Sequence, residues 1–182
     1  MPQYEKVLPW PRGKTACYDE VTPAATIYDQ FCGQVYEAED TVHGTKQKVL
    51  LRVMRLEAAI TSANKFYKSG TTALDFGRTI SALNNVAGGP CWALDDAYTE
   101  GTSLLQYDLA YFVEEGPVYV DTELSAVSLA QHGTVVSDAS GLVDGAAPAA
   151  GNCILGRIDA ASTTTNSRVV VHIGRLVGGE GT

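Results

Sequence analysis

The sequence predicts a mainly β protein, a small β-sandwich or β-barrel with little helix, led by an extended, loop-rich N-terminal arm. Three observations predict it. From residue 46 onward, short runs of β-branched and aromatic residues are separated by Gly, Pro, Asn, Asp and Ser, the spacing expected of a sandwich or barrel. Several of those runs alternate apolar and polar residues with the period of two that a half-buried strand requires. Four of the seven prolines, Pro2, Pro9, Pro11 and Pro23, fall in the first 23 residues, where each fixes its own φ and pushes its predecessor toward extended geometry.

The arm is expected over residues 1–40 and a β-rich domain over 41–182, the latter divisible into 41–123 and 124–182. Six of the fifteen aromatic residues, Tyr4, Trp10, Tyr18, Tyr28, Phe31 and Tyr36, lie within the first 36 positions. A solvated linker has no use for so many rings, so they pack either on the chain's own body or on a neighbouring subunit. Trp10, Tyr18, Tyr28, Phe31 and Tyr36 are therefore the candidates for inter-subunit contact, and Trp10 is expected to be buried at such a contact.

Along the domain, Lys48-Val49-Leu50-Leu51-Arg52-Val53-Met54-Arg55-Leu56 is rich in β-formers and short enough for one strand. Glu57 to Asn64 has room for a helical turn. Tyr107 to Val113 alternates, with Leu109, Tyr111 and Val113 on one face, until Gly116-Pro117 breaks the ladder before Val118-Tyr119-Val120 starts a separate strand. Thr79 to Val86, stopped by Ala87-Gly88-Gly89-Pro90, is the helix candidate. Further strands are expected at Gly133 to Val136, Cys153 to Ile158 and Arg168 to Ile173. In the last of these, Val169, Val171 and Ile173 face one way and Arg168, Val170 and His172 the other.

A chain of 182 residues buries about two thirds of its unfolded surface and needs no disulfide or metal to fold. Its charge is unevenly placed. Residues 1–68 hold nine Lys or Arg and eight acids, whereas residues 69–182 hold four Arg, no Lys and thirteen acids, which together give the net charge of −8. A surface of that sign repels phosphate backbones, so no nucleic-acid partner is expected. No membrane partner is expected either, since no stretch approaches the apolar length of a span. The N-terminus lacks the pattern of a signal peptide, and a protein made in a cytoplasm is expected.

Chemistry-bearing residues form no recognisable constellation. Cys17, Cys32, Cys91 and Cys153 contain no C-x-x-C pair, and a Cys17–Cys32 disulfide has no support from a secreted context. His43 and His132 each precede Gly in turn-like sequence, His172 sits in a strand, and none has an acid or thiol at ligand spacing. The doublets Asp95-Asp96 and Glu114-Glu115 lack calcium-loop spacing and read as solvated charge. There is no G-x-S-x-G elbow, and Cys91 has no neighbouring base. The expectation is a protein that is not an enzyme, with no cofactor and no metal.

Two stretches resemble a known class. Gln47-Lys48-Val49-Leu50-Leu51-Arg52-Val53, followed by Asp108 and Leu109-Ala110-Tyr111-Phe112-Val113-Glu114-Glu115-Gly116-Pro117, looks like phage structural proteins in which a valine-rich strand with arginine precedes an aromatic strand ending in Gly-Pro. Gly133-Thr134-Val135-Val136, Gly151-Asn152-Cys153-Ile154-Leu155-Gly156-Arg157-Ile158 and Val169-Val170-Val171-His172-Ile173 are similar to the small β-domains of tailed-bacteriophage capsid decoration (cement) proteins, from which Asn152 departs by replacing an acid. The resemblance implies a non-enzymatic protein on the outside of an icosahedral head, made in the host cytoplasm. Its partners would be the major capsid protein and copies of itself, as a homotrimer. Two alternatives stay open: another phage structural subunit, such as a head-fibre base or tail-tube protein, and a carbohydrate-binding β-sandwich using Trp92, Tyr98 and Tyr107 with Asp95, Asp96, Glu100 and Asp108.

Overall fold

A computed structural model describes residues 8–16, 31–40, 46–60, 63–69, 79–83, 91–99, 101–102, 104–122, 129–137, 141–144, 155–161 and 168–174. Within them lie ten strands: β1 (Val35–Glu39), β2 (Lys48–Leu56), β3 (Phe66–Ser69), β4 (Thr79–Leu83), β5 (Cys91–Leu94), β6 (Leu109–Asp121), β7 (Thr134–Ser137), β8 (Val143–Asp144), β9 (Gly156–Ile158) and β10 (Arg168–Ile173). The protein is mainly β, as the alternation predicts, and no α-helix occurs among the described residues.

All ten strands belong to one sheet in the order β1-β2-β4-β3-β5-β6-β10-β9-β7-β8, with β2 also paired to β6. Every pairing is antiparallel except the two-residue join of β2 to β4. The sheet thus curls round so that Val113 of β6 faces Leu51 of β2 on one edge and Ala93 of β5 on the other. Among the described strands β1 pairs only with β2, so the sheet ends there and is not closed into a barrel.

Cover on both faces explains the run Leu109-Ala110-Tyr111-Phe112-Val113. In a flat, half-exposed strand one set of alternate residues would meet water, yet all five are buried, because Phe112 packs on Tyr67 of the sheet while Tyr111 is covered by Trp10 of the N-terminal segment. A strand covered on both sides reads as a continuous apolar run. Leu51, Val53, Met54 and Phe66 complete this core, and Tyr67 meets Phe112 edge to face at 6.1 Å.

The fold corrects three of the sequence expectations. Thr79–Leu83 is a strand, sandwiched between β2 and β3, so pairing overrides the helix-like spacing of its apolar residues. Gly116-Pro117 does not end a strand either: β6 runs through it and changes partners there. Up to Glu115 it pairs with β2, with Glu114 inserted as a bulge between Leu50↔Glu115 and Leu51↔Val113. From Gly116 it pairs with β10. Such a handover tolerates a proline, and Gly116 has φ +122 with Lys48 O and Val49 Cα only 3.2 Å from where a Cβ would stand. Over Glu57 to Asn64 the described residues form bends and an Ile60–Leu104 bridge in place of a helical turn. In β10 Val169 and Val171 are buried and Arg168 is exposed, as the sequence predicts.

Candidate interaction site at the N-terminal segment

The N-terminal prolines and rings raise the question of what residues 8–16 touch. Pro11 to Lys14 is a turn closed by Lys14 N–H donating to Pro11 O at 3.3 Å. Its third residue, Gly13, has φ +74, and a Cβ there would lie 2.4 Å from Ala97 O; only glycine lets the turn sit this low on the body. Beyond the turn, Ala16 exchanges two backbone hydrogen bonds with Leu109 at 3.1 and 3.2 Å, adding a bridge at the start of β6.

Two tyrosines hold the segment's backbone. Tyr98, 2% exposed, donates its hydroxyl to Lys14 O at 2.7 Å and accepts from Tyr111 N–H at 3.2 Å. The Tyr111 hydroxyl donates to Trp10 O at 2.9 Å. Trp10 stacks on Tyr111 with centroids 5.0 Å apart and meets Phe31 edge-on at 6.1 Å. Burial raises both phenols, Tyr111 to about 12, so both stay protonated donors at neutral pH.

Beneath the turn is an acidic seat. Arg12 Nε donates to Asp95 Oδ2 at 2.9 Å, a second guanidinium N–H reaches Asp95 Oδ1, and Nη1 donates to Glu39 O at 3.0 Å. The Asp95 side chain is fully buried and that of Arg12 is 15% exposed. Burial pulls Arg12 down, but the hydrogen bond and charge of Asp95 outweigh it and its pKa ends raised, with help from Asp96 and Asp40. Asp96 behaves differently. Burial raises its pKa to about 7, with Asp95 and Asp40 adding to the rise, although Tyr119 N–H donates to it at 2.9 and 3.0 Å and Arg12 pulls the other way.

Of the five candidate contact residues, Trp10 and Phe31 are half-buried against the chain's own core, and Tyr36 lies in β1, 6% exposed. Tyr18 and Tyr28 fall outside the described residues. Asp95 and Asp96 are not the solvated charges expected of them. The doublet is flanked by Ala93-Leu94 and Ala97-Tyr98, an apolar setting that signals burial, but Arg12 lies 83 positions away and no local pattern announces it. Trp92, Tyr98 and Tyr107 make no exposed ring platform, since Tyr98, Asp95 and Asp108 are buried. Asp108 instead caps a turn, accepting Leu105 N–H at 3.0 Å. His132 is exposed and His172 sits 3.5 Å from Asp159, while His43 is not described. No group of three His, Cys, Asp or Glu among the described residues is placed to hold a metal ion.

No family model and no curated protein matches the chain. Among solved structures it is similar to the N base of the head fiber protein gp8.5 of bacteriophage phi29, at 12% identity and a TM-score of 0.43, over 70% of this chain and 95% of that one.

Proposed function

We propose that this chain is a phage virion structural protein that binds the outer surface of an icosahedral capsid as a decoration or cement protein and stabilises the head. The observation that carries the reading is where the two resembling stretches go. Far apart in sequence, their described strands form one contiguous block: β2 pairs with the first half of β6, and β10 with the second half. Beyond β10 lie β9 and β7. Arg52 ties the first stretch together, giving Glu114 two hydrogen bonds at 2.8 and 2.9 Å and Gly33 O a third at 3.0 Å.

The charge distribution agrees with this role. Thirteen acids against four Arg in residues 69–182 keep such a surface from adhering to nucleic acid. The partners in this reading are the major capsid protein and two further copies of the chain, without nucleic acid, membrane, cofactor or catalysis. Repeated weak contacts around a trimer then add through effective concentration. Titrating the purified chain onto heads that lack it tests the proposal. Saturable binding and release of DNA at a higher temperature are expected. Failure to bind, or assembly of the isolated chain into tubes or fibres, overturns the decoration reading in favour of a tail-tube or head-fibre subunit.

A further inference from the structure

The outer face of the β6–β10 pair carries two adjoining hollows that share Arg168. One, of about 240 Å3, is lined in part by Tyr119, Asp159, Ala161 and Arg168. The other, of about 290 Å3, is lined by Asp121, Thr122 and again Arg168. The register explains why these side chains meet. Arg168 pairs with Asp121 and Val170 with Tyr119, so side chains two positions apart share a face. Asp159 is fixed beside them by its N–H, which donates to Val170 O at 3.0 Å. Arg168 Nε donates to Asp121 Oδ1 at 2.9 Å, and both side chains stay partly open to solvent.

We propose that this face binds a neutral saccharide, its ring against Tyr119 and its hydroxyls held by Asp159 and Arg168. A sugar ring presents an apolar face and, at its edge, hydroxyls that need donors and acceptors together. Tyr119 supplies aromatic surface, a carboxylate only accepts and a guanidinium only donates. Asp159 and Arg168 therefore offer both halves of what a vicinal diol requires. Other ligand classes fit worse. A phosphate would face two carboxylates round an Arg168 already engaged by Asp121, and a metal ion would face the guanidinium. Each hollow falls just below the usual size of ligand sites, about 300–1,000 Å3, which suits a ligand no larger than a single sugar ring in each.

The test is calorimetric titration of the full chain with a panel of neutral mono- and disaccharides (glucose, galactose, N-acetylglucosamine and their β-linked dimers), with inorganic phosphate and calcium chloride as separate arms. At least one neutral sugar is expected to bind. Its affinity should fall about tenfold or more, a difference of about 1.4 kcal/mol, in Asp159→Asn and Tyr119→Val. Ala161→Trp, at an exposed position on the rim, should block the hollow without touching the core, which keeps the test decisive where Tyr119→Val fails to fold. Binding by none of the panel, binding only of phosphate or calcium, or sugar affinity unchanged in Asp159→Asn and Ala161→Trp overturns the proposal. Capsid binding by these variants is a separate readout, so this inference and the virion reading fail independently.

Discussion

Arg12 and Asp95, 83 positions apart, form a two-pronged ion pair whose carboxylate is fully buried. It anchors the proline-rich segment to the turn after β5. Removing one member leaves the other charge in a poorly solvated site, which typically costs about 3–5 kcal/mol. Arg12→Met is therefore expected to destabilise the protein by about that much in urea unfolding. Pairing it with Asp95→Leu should recover most of the loss, because the uncompensated charge is gone. Glu37→Gln is the control: its partner Lys48 is 73% exposed, and an exposed pair is worth at most about 1 kcal/mol.

Asp96 makes stability depend on pH. Its folded pKa is raised from 3.8 to about 7, so between those values the folded state holds a proton that the unfolded chain releases. Stability from this group is therefore present at the acid end and lost as pH rises through about 7. Thermal midpoints should fall between about pH 5 and pH 8, and Asp96→Asn, neutral throughout, should flatten that slope. An unchanged slope in Asp96→Asn would exclude this carboxyl as its source.

The hydroxyls of Tyr98 and Tyr111 differ in what they leave behind. Tyr111→Phe removes the donor to Trp10 O and the acceptor of a long, 3.4 Å bond from Trp10 N–H, both only part-buried, a loss of about 1 kcal/mol. Tyr98→Phe leaves both Lys14 O and the Tyr111 N–H without their partner, so a cost of about 1–3 kcal/mol is expected. Fluorescence of Trp10 in a Trp92→Phe background should report faster quencher access in Tyr98→Phe than in Tyr111→Phe.

Gly156 opens β9 where it lies antiparallel beside β10. A Cβ there would stand 2.4 Å from His172 O and 2.7 Å from Val171 Cγ1, and backbone cannot move aside cheaply. Gly156→Ala is expected to cost about 2 kcal/mol. That corresponds to a fall in Tm of about 4–8 °C for a protein of this length, measurable by calorimetry.

How much of this was legible in the sequence follows from how local each signal is. β2 and β10 carry their alternation within six to nine residues, and both were readable. β4 was not, because Thr79-Ile80-Ser81-Ala82-Leu83 becomes a strand only by having β2 and β3 beside it. Gly116-Pro117 looks like a break until β10 is there to take over from β2. The seat of Arg12 was the least visible part: it joins residues 12, 40, 95 and 96, and an acidic doublet has the same spelling whether water or a guanidinium faces it.

The central claim, that the chain decorates the outside of a phage head, is tested most directly by electron cryomicroscopy of the source particle with and without this protein. The result expected is difference density confined to the outer capsid surface, three copies clustered about lattice axes, with the body of each copy fitting the ten-stranded sheet. Density in the tail, in a projecting fibre, or nowhere on the particle would contradict it.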